Sequence, residues 1–406
     1  MSERRVTTLG ALCSEGGGGI QTGPFGSQLH ASDYVLSGVP SVMPQNIGDN
    51  VISQSGIARI QESDALRLAK YRLRDGDIVY SRRGDVEKRA LVRRENDGWL
   101  CGTGCLRVRL GDQSPHDPAF LSYLLGTEDS REWIVRHAVG ATMPNLNTSI
   151  LSAVPLTVPE PRVQRAIAEV LGALDDKIAA NTKLVQTSAA LTQAMFSSAV
   201  ATSSEESVLS EITELLSRGI TPKYSDDNDA TVILNQKCVR GQRVDLDPAR
   251  RTLSVKVRED KLLKLDDVLV NSTGQGTLGR VARWTHHENV TVDSHITIVR
   301  FDRNKVDPVC AGVGLLGLQQ TIIEMGEGST GQTELSRVEL GKLRIRLPDF
   351  ETQRALGRRF ASMANMERIN LEENRRLAAT RDALLPQLMS GKLRVREGET
   401  LVAAAV

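Results

Sequence analysis

The residues best suited to hold a metal are six histidines (His30, His116, His137, His286, His287, His295) and five cysteines (Cys13, Cys101, Cys105, Cys238, Cys310), and their spacing builds no site. Cys101 and Cys105 are close, but no second Cys or His pair stands at zinc-finger distance, so reduced structural thiols are expected. His286-His287 beside Trp284 reads as a turn. Nucleotide chemistry lacks its loop: no Gly-x-x-x-x-Gly-Lys-Ser/Thr occurs, and Gly391-Lys392 is followed by Leu393. The Asn/Asp-Pro-Pro-Tyr/Phe motif of amino-methyltransferases and His-Glu-x-x-His are also absent. Pro348-Asp-Phe-Glu351 has the outline of a nuclease motif without its lysine, and reads as a turn before a helix. No enzyme class survives, and no metal or cofactor is expected in this chain.

Binding chemistry is better represented. Between Lys70 and Arg94 stand Lys70, Arg72, Arg74, Arg82, Arg83, Lys88, Arg89, Arg93 and Arg94, with acidic residues interleaved. Such a run is a solvated strand-and-turn surface unless its charges meet phosphates. The formal net charge of +1 neither announces nor excludes a nucleic-acid partner, because placement of charge decides that.

The elements that must position these groups come in two copies. Val154-Pro-Leu-Thr-Val-Pro-Glu-Pro-Arg-Val-Gln-Arg-Ala-Ile167 is echoed by Leu343-Arg-Ile-Arg-Leu-Pro-Asp-Phe-Glu-Thr-Gln-Arg-Ala-Leu356, 189 residues later. Upstream, Asp77-Ile-Val-Tyr-Ser-Arg-Arg-Gly84 is echoed by Asp267-Val-Leu-Val-Asn-Ser-Thr-Gly274. A chain of 406 residues is too long for one core and fits two globules plus connecting helices.

In the first globule, Ile78-Val-Tyr80, Leu106–Leu110 and Val154–Val158 have strand character, Gly16–Gly26 reads as a loop, and Pro118–Arg136 as helix broken at Gly126. In the second, Val232–Leu234, Val268–Val270, Val290–Val292 and Ile296–Val299 read as strands. The stretches Gln164 to about Phe196 and Gln353 to about Met389 carry apolar seams at three- and four-residue steps. Ile167, Leu171, Leu174, Ile178 and Val185 line the first seam; Leu356, Phe360, Met363, Leu377 and Leu384 line the second. Each seam wants a partner, and the two helices are expected to pair. Ala201–Ser207 reads as a polar linker, Pro386 as a kink or fray, and Gly391 as a stop signal.

With 40% hydrophobic and 25% charged residues, and no apolar run near the length of a membrane span, no membrane partner is expected. Met1-Ser-Glu-Arg-Arg leads into no apolar signal core, so a cytoplasmic protein is expected.

In their order these motifs resemble the specificity subunits of type I restriction-modification systems (HsdS). The resemblance rests on Gly23-Pro-Phe-Gly-Ser-Gln-Leu29, on Gly76–Gly84 and its second copy, and on Gly140-Ala-Thr-Met-Pro-Asn-Leu-Asn147. It also rests on the twice-occurring strand–Pro–Gln–helix block, on Leu174-Asp-Asp-Lys-Ile178, and on Arg381-Asp-Ala-Leu-Leu-Pro-Gln-Leu-Met-Ser-Gly-Lys-Leu393. It covers almost the whole chain and implies an α+β architecture. Two mixed α/β target-recognition domains would be separated by two long antiparallel helices forming a coiled-coil spacer, with an internal pseudo-two-fold repeat. The expected blocks are 1–158 (first recognition domain), 159–200 (central helix), 201–348 (second recognition domain), 349–394 (distal helix) and 395–406 (flexible tail).

The resemblance implies a non-catalytic subunit whose domains each read half of a bipartite site on double-stranded DNA, the helices setting the spacer. It implies two methyltransferase subunits as partners, bringing S-adenosylmethionine for adenine methylation. Restriction subunits, where present, bring ATP and Mg. Base edges are read by Arg, Lys, Asn, Gln, Ser and Thr on loops. Gln28, Asn46, Arg82, Arg83, Lys88 and Arg89 flank Gly-rich turns or strand ends in the first domain and are the candidate contacts there. In the second, Asn271, Thr273, Gln275 and Thr277 lie in one polar run, joined by Lys237, Arg240, Arg280 and His295. Turn capping for the polar groups and solvated charge for the basic ones are the competing readings. The alternative functions are a DNA-targeting subunit of a methylation-only or other phage-defence complex, and a scaffold that binds no DNA.

Overall fold

The computed structural model describes residues 4–140, 142–225, 227, 229–326 and 334–405. Ala141, inside the Gly140–Asn147 motif, lies outside the described residues. The chain divides into two compact units, Met1–Ala179 with Arg375–Val406, and Ala180–Asn374. This differs from the five consecutive blocks expected, because each long helix is shared: its two halves pack into different cores.

The first unit is organised around strand Ile78–Ser81, the centre of an antiparallel sheet ordered Gly19–Thr22, Cys105–Arg109, Ile78–Ser81, Arg89–Leu91. Successive strand side chains point to opposite faces. Ile78 and Tyr80 therefore enter one core with the helices, while Val79 enters a second core with Val42, Leu73 and Val92. Coverage on both faces is why this strand reads as an unbroken apolar run. A second sheet runs Tyr34–Val35, Ala58–Ile60, Val39–Val42, Leu100–Cys101, its last pair parallel. Asp77, 2% exposed, takes Nε and a terminal nitrogen of Arg109 at 2.7 and 2.6 Å.

The second unit uses the same parts. Its antiparallel sheet runs Thr213–Arg218, Ile296–Phe301, Val268–Asn271, Val281–Arg283. Val268 and Val270 enter one core and Leu269 the other. Arg300 holds Asp267 in a two-pronged pair at 2.8 and 2.7 Å. Its smaller sheet also joins a parallel pair, Thr231–Leu234 with Val290–Val292.

One glutamine starts each long helix. Buried Gln164 accepts from the Asp117 amide at 3.1 Å and donates to the Pro159 carbonyl at 2.8 Å. Gln353 does the same with the Asp307 amide (3.0 Å) and the Pro348 carbonyl (2.7 Å). Asp117 and Asp307 in turn cap short helices through Phe120 and Cys310 amides. The helices then run Pro161–Thr202 and Phe350–Ser390, the second continuing four residues beyond Pro386 before Gly391 (φ +74°) turns the chain. In the first unit, Ile167, Leu171 and Leu174 share a core with Leu377 and Leu384, with Ile178 partly buried against it. In the second, Asn181 donates to Asn374 at 3.0 Å and Thr192 meets the Met363 sulfur at 3.6 Å, so these halves run antiparallel. Leu356 and Phe360 are buried there beside Phe196, and Val185 is 3% exposed.

Three local expectations are corrected. Residues 205–207 are not linker: Glu205–Val208 is a strand antiparallel to Arg344–Leu347. Within the expected glycine loop, Gly19–Thr22 is a strand, because Cys105–Arg109 offers it a ladder. The tail expected to be flexible forms helix Val395–Ala405, anchored by buried Val402.

Among the described residues, no single helix is long and apolar enough to cross a membrane, and no His, Cys, Asp or Glu group could hold a metal. All five thiols are free and buried. Burial pushes Cys13, Cys101 and Cys310 up to about 12 and Cys238 to about 11.

Candidate nucleic-acid interface

In both units the central strand delivers its last residue into a turn zipped to a distant loop. In the first, the Leu146 amide donates to the Arg82 carbonyl at 2.8 Å, the Gly84 amide to the Pro144 carbonyl at 3.2 Å, and Arg83 bridges to Asn145. In the second, the Leu335 amide donates to the Ser272 carbonyl at 2.8 Å and Thr273 bridges to Glu334. Counting from Asp77 and from Asp267 reaches these turns after the same number of residues.

The first unit's turn is basic and apolar. Gly23 lets the next loop approach, since a Cβ there would lie 2.0 Å from the Gly102 carbonyl oxygen. Phe25 consequently projects outward, 54% exposed, with the Arg82 guanidinium 5.9 Å from its ring centre. Exposed Met143 lies on the zipped loop, next to the Pro144 whose carbonyl holds Gly84. Arg83 is exposed with no side-chain partner among the described residues. Lys88 is also exposed but pairs with Asp85 at 2.6 Å. Gln28 shapes the loop: its side-chain oxygen accepts from the Phe25 amide at 3.3 Å and from the Tyr71 hydroxyl at 2.8 Å.

Two expected contacts in this unit are corrected. Asn46 is fully buried; it accepts from the Met43 amide and donates to the Ser53 carbonyl, so it staples its own loop. Arg89 is 5% exposed, donating to the Ser122 carbonyl and pairing with Asp49 at 3.2 Å, so it belongs to the interior.

The second unit's turn is polar. Thr273 and His295 meet at 2.7 Å through Oγ1 and Nδ1. Thr277 donates to Gln236 at 3.1 Å, and Arg280 to the Gly276 carbonyl at 2.7 Å. Gly274 has φ +104°, and a Cβ there would fall 2.1 Å from the Gln236 oxygen, so this turn requires glycine. Gln275 stands exposed at the tip. Lys237 and Arg240 are exposed with no side-chain partner among the described residues, Lys237 following Gln236 directly. Asn271 is corrected: fully buried, it donates to the Gln236 and Thr277 carbonyls and holds the turn from below.

Thr273, Gln275, Thr277, Arg280 and His295 thus come together, as do Arg82 and Arg83. Phe25, Met143 and Gln236 were missed. Gly23-Pro-Phe-Gly26 marks the turn that exposes Phe25. Tyr224, 52% exposed with Arg250 at 4.9 Å over its ring, was likewise missed. Arginines and amides on rigid turns can grip phosphates and form paired hydrogen bonds to base edges, while exposed rings supply faces for apolar contact.

Residues 45–187 match the family model described as the type I restriction modification DNA specificity domain. The chain is 21% identical to the putative type I restriction enzyme MjaX specificity subunit of Methanocaldococcus jannaschii, over 88% of each chain. It is 27% identical to the type I restriction enzyme HindI specificity subunit of Haemophilus influenzae, over 41% of this chain and 37% of that one. Its fold matches the crystal structure of the type I restriction-modification S subunit from M. genitalium with a TM-score of 0.61, at 17% identity over 95% and 96% of the two chains. Residues 45–187 thus resemble the type I restriction modification DNA specificity domain, and 88% of the chain resembles one type I restriction enzyme specificity subunit.

Proposed function

We propose that this chain is the non-catalytic, sequence-specific DNA-recognition subunit of a type I restriction-modification complex acting in the cytoplasm. Each unit reads one half of a bipartite site through the turn that follows its central strand. The long helices form the coiled-coil spacer of an internally repeated, pseudo-two-fold molecule and dock two methyltransferase subunits. Those partners supply S-adenosylmethionine and adenine methylation; a restriction subunit, where present, supplies ATP- and Mg-dependent cleavage.

One observation carries the reading. The same strand-to-turn device is built twice, zipped at corresponding carbonyls, yet armed with different chemistry: Arg82, Arg83 and Phe25 in one unit, Thr273, Gln275 and His295 in the other. A scaffold would need no such difference, whereas a reader of two unlike half-sites does. The test is methylation sequencing of host DNA with and without the gene. Loss of adenine methylation at one bipartite motif is expected; an unchanged methylome beside an expressed methyltransferase would overturn the reading.

A further inference from the structure

The first unit carries an open cleft of about 490 Å³ beside its edge strand, lined by residues 17–21, Arg74, Arg107, Arg109, Gly111 and Asp112. It lies at the opposite end of the Gly19–Thr22 strand from Gly23 and the Phe25 loop. Its three arginines are not equally occupied. Arg109 is spent on Asp77. Among the described residues Arg107 contacts no carboxylate: it donates to the Lys70 and Arg72 carbonyls at 3.0 and 3.5 Å and to the Gln21 side-chain oxygen at 2.8 Å, and its buried Nε has no partner. Among the described residues the Arg74 side chain reaches only Asp112, at 4.0 Å, and that carboxylate is 92% exposed. Burial, with the neighbouring Arg109 and Arg74 charges, holds the Arg107 guanidinium below its usual range.

The second unit shows what the fold itself demands at these positions. With Arg300 matched to Arg109, the strand register puts Ile298 where Arg107 stands and Leu215 where Gly19 stands. Both pack into that unit's smaller-sheet core. Gly19 has no left-handed φ, and a Cβ on it would meet nothing within 4 Å. Nothing in backbone or packing requires glycine at 19, and Arg107 is tied to the Lys70 and Arg72 carbonyls and to Gln21 where the second unit has a core isoleucine. A strand glycine can mark a bulge, a bend, or a place where a ligand or another backbone comes close.

We propose that this cleft binds a phosphate group. The Nε–H and a terminal N–H of Arg107 form the side-on fork that takes two phosphate oxygens, with Gln21 giving way and Arg74 adding the second charge. Gly17 and Gly19, where a Cβ would meet nothing within 4 Å, keep the approach clear. Two sources carry this chemistry, a duplex-backbone phosphodiester and a free phosphate. The first rests on the DNA-recognition reading above and the second does not.

The test uses the full chain with Gly19→Leu and Arg107→Ile, each copying the second unit. Gly19→Leu fills open space and should fold even if Arg107→Ile does not. One arm measures duplex affinity against salt; the other measures the thermal shift given by inorganic phosphate against chloride at equal ionic strength. For a backbone contact, the salt slope falls by about one unit in the variants. Between 50 and 200 mM salt they then lose roughly threefold less affinity than the wild type, from about 0.9 counterions per phosphate. A phosphate-specific shift that the variants lose, with duplex binding unchanged, assigns a free phosphate. If a folded Gly19→Leu chain matches the wild type in both arms, the proposal is overturned. Should the wild type bind no duplex, the recognition reading fails while the phosphate arm still decides this one.

Discussion

Removing Asp175 should loosen the first unit by several kcal/mol, and Arg381 should share most of that cost. Asp175 is 7% exposed on the first long helix, accepting from the Tyr123 hydroxyl at 2.6 Å and from Arg381 at 2.8 Å. In Asp175→Ala, the Tyr123 hydroxyl is stranded at 3% exposure, costing about 1–3 kcal/mol, and a charge-assisted bond worth about 1.5–3 kcal/mol is lost. Arg381 keeps Asp382 at 2.8 Å and Asp49 at 3.2 Å, so its charge is not abandoned and the sum stays near 3–4 kcal/mol. Arg381→Ala leaves Asp175 with Tyr123 alone and should cost about as much. A double-mutant cycle should therefore return a coupling of about 1.5–3 kcal/mol. Hydrogen exchange of amides around residues 170–176 and 377–388 in the full chain reads the opening free energy directly. The exposed Glu132–Arg136 pair, with side chains 51% and 72% accessible, is the control and should couple by only about 0.3–0.5 kcal/mol. A coupling at Asp175–Arg381 no larger than that control would refute the reasoning.

Gln164→Glu and Gln353→Glu each replace a buried donor to a proline carbonyl with an anion, and should cost about 2–4 kcal/mol, read as a lower Tm. A Tm within a degree of the wild type would show that these glutamines do not start the helices. The thiols predict alkaline weakness. Unfolded cysteines ionise near their ordinary pKa of about 8.5, whereas the native values are raised, so the native state holds more protons. Their stabilisation is complete below that value and is lost as pH rises through it, at about 1.4 kcal/mol per pH unit per thiol. The urea midpoint should drop between pH 8 and 10, and a flat profile would count against it. Gly274→Ala carries about 1–3 kcal/mol of strain at φ +104° and should displace Gln236, weakening recognition of one half-site only. Competition with duplexes altered in either half checks this, and equal loss for both halves would count against the reading.

Much of the architecture was legible because its signals are periodic. The seams of the long helices recur at helical steps, and the central strands are apolar on both faces, which single-sequence patterning detects. Glu205–Val208 escaped because its residues are polar and half exposed. It is a strand only through backbone pairing with Arg344–Leu347, more than a hundred residues away, helped by the Glu206–Arg344 ion pair. At the site, residue type misled where partners are remote. Arg89 sits in a basic run, yet its acceptors on Asp49 and Ser122 lie 40 and 33 residues off. Asn46 and Asn271 have the donors and acceptors of base readers, but Asn46 spends both on main-chain groups of its own loop, and Asn271 spends its amide N–H groups on the Thr277 and Gln236 carbonyls. The outward position of Phe25 follows from close packing of Gly23 on Gly102, a contact no local pattern announces.

The split of the first unit across residues 1–179 and 375–406 sets an order of events during synthesis. The ribosome releases the continuous second unit whole, while the first still lacks Leu377, Leu384, Leu388 and Val402 from its core. Although it is translated first, the amino-terminal unit closes last, and for the time needed to make about two hundred residues its apolar face stays open to chaperones or to premature association. A stop codon shortly after Asn374 would leave the second unit's sequence intact and damage the first unit.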